Sequence, residues 1–202
     1  MRRRGRSQAA QSTVEFGASA VVLILLLFGL IDLGRVFYFD VGLQGAVREG
    51  ARHATWFDSQ TGTNPFLYDT DGWNGTPCGD PNPHPGIKES VDCSLSKSGL
   101  PISVLQNPGL TCPAPSDGNS NFNPPYDDSV YPSAVNAPSL FICYSQSPGL
   151  DVTSAPTDNS MRGADVNVIL VMSFGFVSGL MQGVLGNSVH IVANTHMAVG
   201  GY

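Results

Sequence analysis

Gln11-Ser-Thr-Val-Glu15-Phe-Gly-Ala-Ser-Ala-Val-Val-Leu-Ile-Leu-Leu-Leu-Phe-Gly-Leu-Ile31 decides the fold of this chain. From Phe16 to Ile31 no residue is charged, and a basic hexapeptide, Met1-Arg-Arg-Arg-Gly-Arg6, stands behind the run. As a helix, those uncharged residues reach roughly 24 Å, a little less than the roughly 30 Å hydrocarbon core of a bilayer. The run therefore reads as a short membrane anchor spanning about residues 16–34, with a carboxylate, Glu15, at its entrance. An acid at that depth is costly without a partner.

Charge is distributed unevenly around the anchor. Residues 1–10 carry four arginines and no acid, whereas residues 58–202 carry twelve acids against Lys88, Lys97 and Arg162. The body has too few cations to neutralise phosphates, which argues against nucleic-acid binding. The same asymmetry predicts a single-pass protein of the cytoplasmic membrane, with its N-terminus cytoplasmic and its body outside.

Three explanations compete for residues 1–31. A cleaved secretory signal would show small residues after the apolar stretch, but Asp32-Leu-Gly-Arg35-Val-Phe-Tyr-Phe39 follows and the helical pattern continues. A plain signal anchor has no use for Glu15. A prepilin-type leader, residues 1–10, cut between Ala10 and Gln11, makes Glu15 the fifth residue of the mature chain. A neighbouring subunit's new amine could then face the acid at the same depth. The alternative is that Glu15 simply sits at the lipid headgroups.

Proline is absent from Gln11 to Phe57, so one long helix is expected over 11–57, with a weak point near Gly34. Gly42, Ala46, Gly50 and Ala54 recur every four residues and form a smooth stripe for close packing. Its partner is either the chain's own sheet or a helix of a second copy in a homo-oligomer. Arg48, Glu49 and Arg52 fall on the other, solvated side.

All fifteen prolines and all four cysteines lie between residues 58 and 160. This predicts a Pro- and Cys-rich extracytoplasmic insertion containing a short helix near 86–97 and strands at 101–106 and 139–145. An even number of cysteines in an exported body reads as two disulfides among Cys78, Cys93, Cys112 and Cys143. Four cysteines allow three pairings and the sequence does not choose among them; the local pairs Cys78–Cys93 and Cys112–Cys143 are the ones expected here. Those cysteines would tie down the long loop at 107–138. Residues 161–202 read as strand (164–174), short apolar helix or loop (176–185) and strand (188–198). The two strands are expected to pair antiparallel over the N-terminal helix. The 176–185 segment is too short to cross a bilayer and either closes the core or touches the outer leaflet or a partner. The expected class is α+β: a long transmembrane helix, then a small antiparallel sheet carrying the disulfide-tied insertion.

No nucleophile elbow, P-loop, HExxH or dinucleotide glycine pattern occurs, so no enzyme, cofactor or metal is expected. Asp69-Thr-Asp71-Gly-Trp-Asn74-Gly-Thr-Pro-Cys-Gly-Asp80 loosely resembles a calcium loop but reads better as an Asx-rich turn. His190 and His196 share a strand face too far apart to chelate one metal, and His53 and His84 have no companions.

Three stretches together resemble the TadE-like proteins, pseudopilins or minor pilins of the tight-adherence (Flp) pilus machinery, which is akin to type IV pili. They are Gln11-Ser-Thr-Val-Glu15-Phe16, Phe28-Gly-Leu-Ile-Asp32-Leu-Gly-Arg35, and Gln44-Gly-Ala-Val-Arg48-Glu-Gly-Ala-Arg52. The resemblance implies a prepilin peptidase acting at Ala10–Gln11, with Glu15 used in processing or assembly. It also implies other pilins or pilus-assembly proteins as partners, in the membrane or at the cell surface. Ala10 stands where the family prefers glycine. The rival readings are an anchored adhesin or binding module using residues 58–160, and a structural subunit of the filament itself.

Overall fold

The computed structural model describes residues 5–55, 87–99, 105–106, 111–118, 122–144 and 165–199. Helix α1 runs from Gly5 to Ala54, 50 residues and about 75 Å, without a break at Gly34. Helix α2 spans Ile87–Lys97. Among the described residues, strands β1 (Ser139–Tyr144) and β2 (Asp165–Gly175), the short helix α3 (Gly179–Leu185) and strand β3 (Ser188–Ala198) follow.

The sheet is antiparallel in the order β1-β2-β3. Strands β2 and β3 pair along their whole lengths, from Asp165 opposite Ala198 to Gly175 opposite Ser188, and β1 pairs with β2 from Ser139–Val171 to Tyr144–Val166. Alternation then sorts the side chains. Leu140, Ile142, Tyr144, Val166, Val168, Leu170, Met172 and Phe174 join α1 and α2 in one core. Phe141, Cys143, Ile169 and Val171 point the other way and form a second core with Cys112 and Tyr126. Central strand β2 is covered on both faces, which explains its continuous apolar run.

The second core identifies what the described residues between 111 and 135 do. Residues 111–118 and 122–135 form an irregular layer over the outer face of the sheet, with a 3-10 turn at Asp128–Val130 and a bridge between Pro115 and Tyr126. A disulfide between Cys112 and Cys143 fastens this layer to β1. Cys93 is also disulfide-bonded, and Cys78 lies outside the described residues. Helix α2 and strand β1, both from within residues 58–160, pack in the main core. Of the strand expected at 101–106, Gln106 makes a single parallel bridge to Ser139, and 101–104 lie outside the described residues. The Asp69–Asp80 loop and His84 lie outside them as well.

Helix α2 is more buried than its amphipathic pattern suggests. Besides Ile87, Val91 and Leu95, the polar residues Lys88, Glu89, Ser90 and Asp92 are buried. Lys88 and Asp92 pair at 2.7 Å one helical turn apart, so each charge enters the interior with an opposite charge beside it.

Candidate functional site

The candidate functional region is α1, which passes through three environments. Its first part is bare. Val14, Phe16 and nearly every large apolar residue from Val21 to Leu33 is exposed, and the helix is long and apolar enough to cross a membrane. So large a continuous apolar surface requires lipid or other subunits around it. Near the start of this part, Gln11 donates from its side-chain amide to Glu15 at 2.9 Å, and Glu15 is exposed. The Ala10–Gln11 bond lies within the continuous helix.

The last part is enclosed. Leu43, Ala46, Val47, Ala51 and Ala54 are fully buried. The small-residue stripe faces the chain's own elements. A Cβ placed on Gly50 would come within 2.6 Å of Val91 on α2 and 3.3 Å of Val168 on β2, and one on Gly42 within 2.8 Å of Ser98. Of the two partners the sequence left open, it is the chain's own elements, α2 and the sheet, that lie against Gly50 in this structure. At the helix end, the Tyr144 hydroxyl donates to the Ala54 carbonyl at 3.5 Å, and burial pushes the Tyr144 pKa up. Arg52 pairs with Glu49 at 2.6 Å on the exposed side. Burial pushes the His53 pKa down, an effect partly offset by Glu49.

Between these parts lies a junction built on Asp32. Its carboxylate is buried although it follows directly on the apolar run. It accepts from the backbone N–H of Val177 at 3.2 Å, from that of Ser178 at 3.0 Å, and from the Ser178 hydroxyl. Ser178 Oγ in turn accepts from the Met181 N–H at 3.4 Å, capping α3. Arg35 approaches Asp32 at 3.5 Å and lies over the Phe174 ring at 5.1 Å. Phe174 packs edge-on against Phe39 and Phe176. Asp32 thus holds the β2–α3 turn against α1, about 25 Å along the helix from Glu15. Sequence reasoning met Asp32 only within a motif. Its one local signal was an acid next to an apolar run with Arg35 three residues on.

The two strand histidines bind their own chain. His196 lies between Asp165 and the Asn123 side chain, and Asn123 also accepts from Asn194 at 2.8 Å. His190 stacks on Tyr131, with ring centroids 3.9 Å apart. Both therefore help fasten the irregular layer to the sheet.

The geometry is that of a long helix whose bare apolar N-terminal part is long enough to cross a membrane and whose buried C-terminal part packs on an antiparallel sheet. Residues 10–52 match the family model described as TadE-like protein, so the chain carries a TadE-like domain over that stretch. The match covers the bare part, the Asp32 junction and the enclosed part of α1 up to Arg52. No curated protein matches the chain, and no solved structure does either.

Proposed function

We propose that this chain is a minor pilin, or pseudopilin, acting in the assembly of a tight-adherence (Flp) pilus. One observation carries the reading: the TadE-like match coincides with a helix whose first part is bare and apolar while its last part anchors a folded domain. In this reading a prepilin peptidase removes residues 1–10 at Ala10–Gln11. The Arg-rich leader stays cytoplasmic, and the sheet domain is extracytoplasmic. Glu15, exposed on the helix surface, meets the new amine of a neighbouring pilin within the bilayer. The role is structural, exercised by association along the bare helix face. Since α2 and the sheet lie against the stripe at Gly50, contacts between subunits run through residues 11–31 in this reading.

N-terminal sequencing of the protein isolated from membranes tests the reading. A mature chain starting at Gln11 supports it, and an intact Met1 or Arg2 start removes the pilin mechanism and leaves a plain anchor. Recovery of the chain at high copy number along sheared pili would instead make it the filament subunit.

A second reading, an anchored binding module, draws on a groove of about 650 Å³ in the irregular layer, lined by residues including Gln106, Thr111, Tyr131 and Phe141. Filling it with Ala114→Arg and Ser133→Arg separates the two. Lost adhesion with intact pili favours binding through the groove, and unchanged adhesion removes it.

A further inference from the structure

The β2–β3 connection lies at an unexpected level. If the hydrocarbon core begins near Phe16, its roughly 30 Å needs about 20 helical residues and ends near Arg35. The exposed aromatics Phe37 and Tyr38 then stand at the outer interface, where such rings concentrate. Yet α3 packs on α1 below that level. A Cβ on Gly29 would meet Met181 at 4.0 Å, and Gly29 lies six residues, about 9 Å, beneath Arg35. Asp32, three residues or about 4.5 Å beneath Arg35, holds Val177 and Ser178 below that level too.

The chemistry of this tip suits that depth. The chain has no Asp, Glu, Lys or Arg after Asp165. Val177 is 73% exposed and Leu185 51% exposed, so the tip presents apolar surface outward. Both of its polar side chains make hydrogen bonds: Gln182 donates to the Phe176 carbonyl at 2.9 Å, and Ser178 donates to Asp32. Between Met181 and the α1 surface from Val22 to Leu33 lies an open apolar recess of about 450 Å³.

We propose that the tip from Phe176 to Gly186 is a wedge inserted into the outer leaflet of the membrane that α1 crosses, with lipid acyl chains against Val177, Leu185 and the Met181 recess and with Asp32 clamping it to the helix. The inference rests on the reading of α1 as a membrane span. The wedge gives the sheet domain a second foothold beside the helix, fixing its height and tilt on the bilayer. A subunit held this way offers its bare helix to neighbours in one orientation. Extracting it from the membrane requires release of the tip as well as the helix.

The test uses the full chain with native disulfides, reconstituted in phosphatidylethanolamine/phosphatidylglycerol vesicles. Single cysteines are placed at Val177→Cys, Leu185→Cys, Leu23→Cys and Arg48→Cys and labelled with an environment-sensitive fluorophore. The expected result is quenching by nitroxide lipids and loss of iodide quenching at 23, 177 and 185, with the reverse at 48. Iodide access at 177 and 185 while 23 remains quenched by lipid overturns the wedge and leaves the anchor intact. Iodide access at 23 overturns the membrane span and the wedge with it. Asp32→Asn is expected to reduce lipid quenching at 185, and unchanged quenching overturns the clamp.

Discussion

The two ends of α1 are written in the same helical rhythm and live under opposite conditions. From Val21 to Leu33 the helix exposes almost every large apolar side chain, whereas from Leu43 to Ala54 its apolar residues are fully buried. Large side chains suit the first part because lipid or neighbouring helices conform to them. Glycine and alanine suit the second because α2 and β2 approach to contact distance there. Periodicity shows that a face is apolar, and residue size shows what kind of partner meets it.

Truncation breaks the comparison most sharply. Leu43→Ala removes a fully buried side chain and is expected to cost about 2–5 kcal/mol. Leu26→Ala, at a position 66% exposed, leaves domain stability unchanged. Thermal unfolding in detergent compares the pair, and equal losses would mean that the bare part also packs within the chain.

The junction comes next. Asp32→Asn takes the charge from a carboxylate that accepts three hydrogen bonds at the β2–α3 turn. Hydrogen bonds to charged groups contribute about 1.5–3 kcal/mol, so amide exchange at Val177 and Ser178 accelerates at least about tenfold. Exchange at Leu170, in the middle of the sheet, stays slow.

The glycines give a finer contrast. Gly50→Ala presses a methyl group against Val91 and Val168 and is expected to destabilise the domain by about 1–3 kcal/mol. Gly34→Ala meets nothing within 4 Å and is neutral or stabilising by up to about 1 kcal/mol, as alanine favours helix. Chemical denaturation midpoints for the two variants check the sign.

The smallest effect concerns pH at the enclosed end. Because burial lowers the His53 pKa from 6.5, the unfolded chain takes up this proton at higher pH than the folded one. Stability from this group is therefore fully present above pH 6.5 and declines as pH falls toward its folded value. The melting temperature of His53→Gln is expected to fall less between pH 7.5 and 5.5 than that of the parent.

Much of the fold was legible locally. The proline-free run announced α1, the alternation at 188–198 gave β3 its inward face, and Ile87, Val91 and Leu95 marked the core side of α2. Composition set residues 58–160 apart by their prolines and cysteines, but it did not say that α2 and β1 from that region lie in the main core. The uninterrupted apolar run Val168–Met172 was the local sign that β2 is covered twice, although nothing local says by what. Asp32 could not be assigned from sequence, because its partner amides lie about 145 residues away along the chain.

The central claim, that one helix is divided between membrane and domain, is tested most directly by labelling intact membranes with a water-soluble maleimide. Single cysteines at Leu23, Leu26, Leu30, Tyr38 and Val41 all occupy positions exposed on the isolated chain. The account predicts protection at 23, 26 and 30 and labelling at 38 and 41. Uniform labelling from 23 to 41 would contradict it.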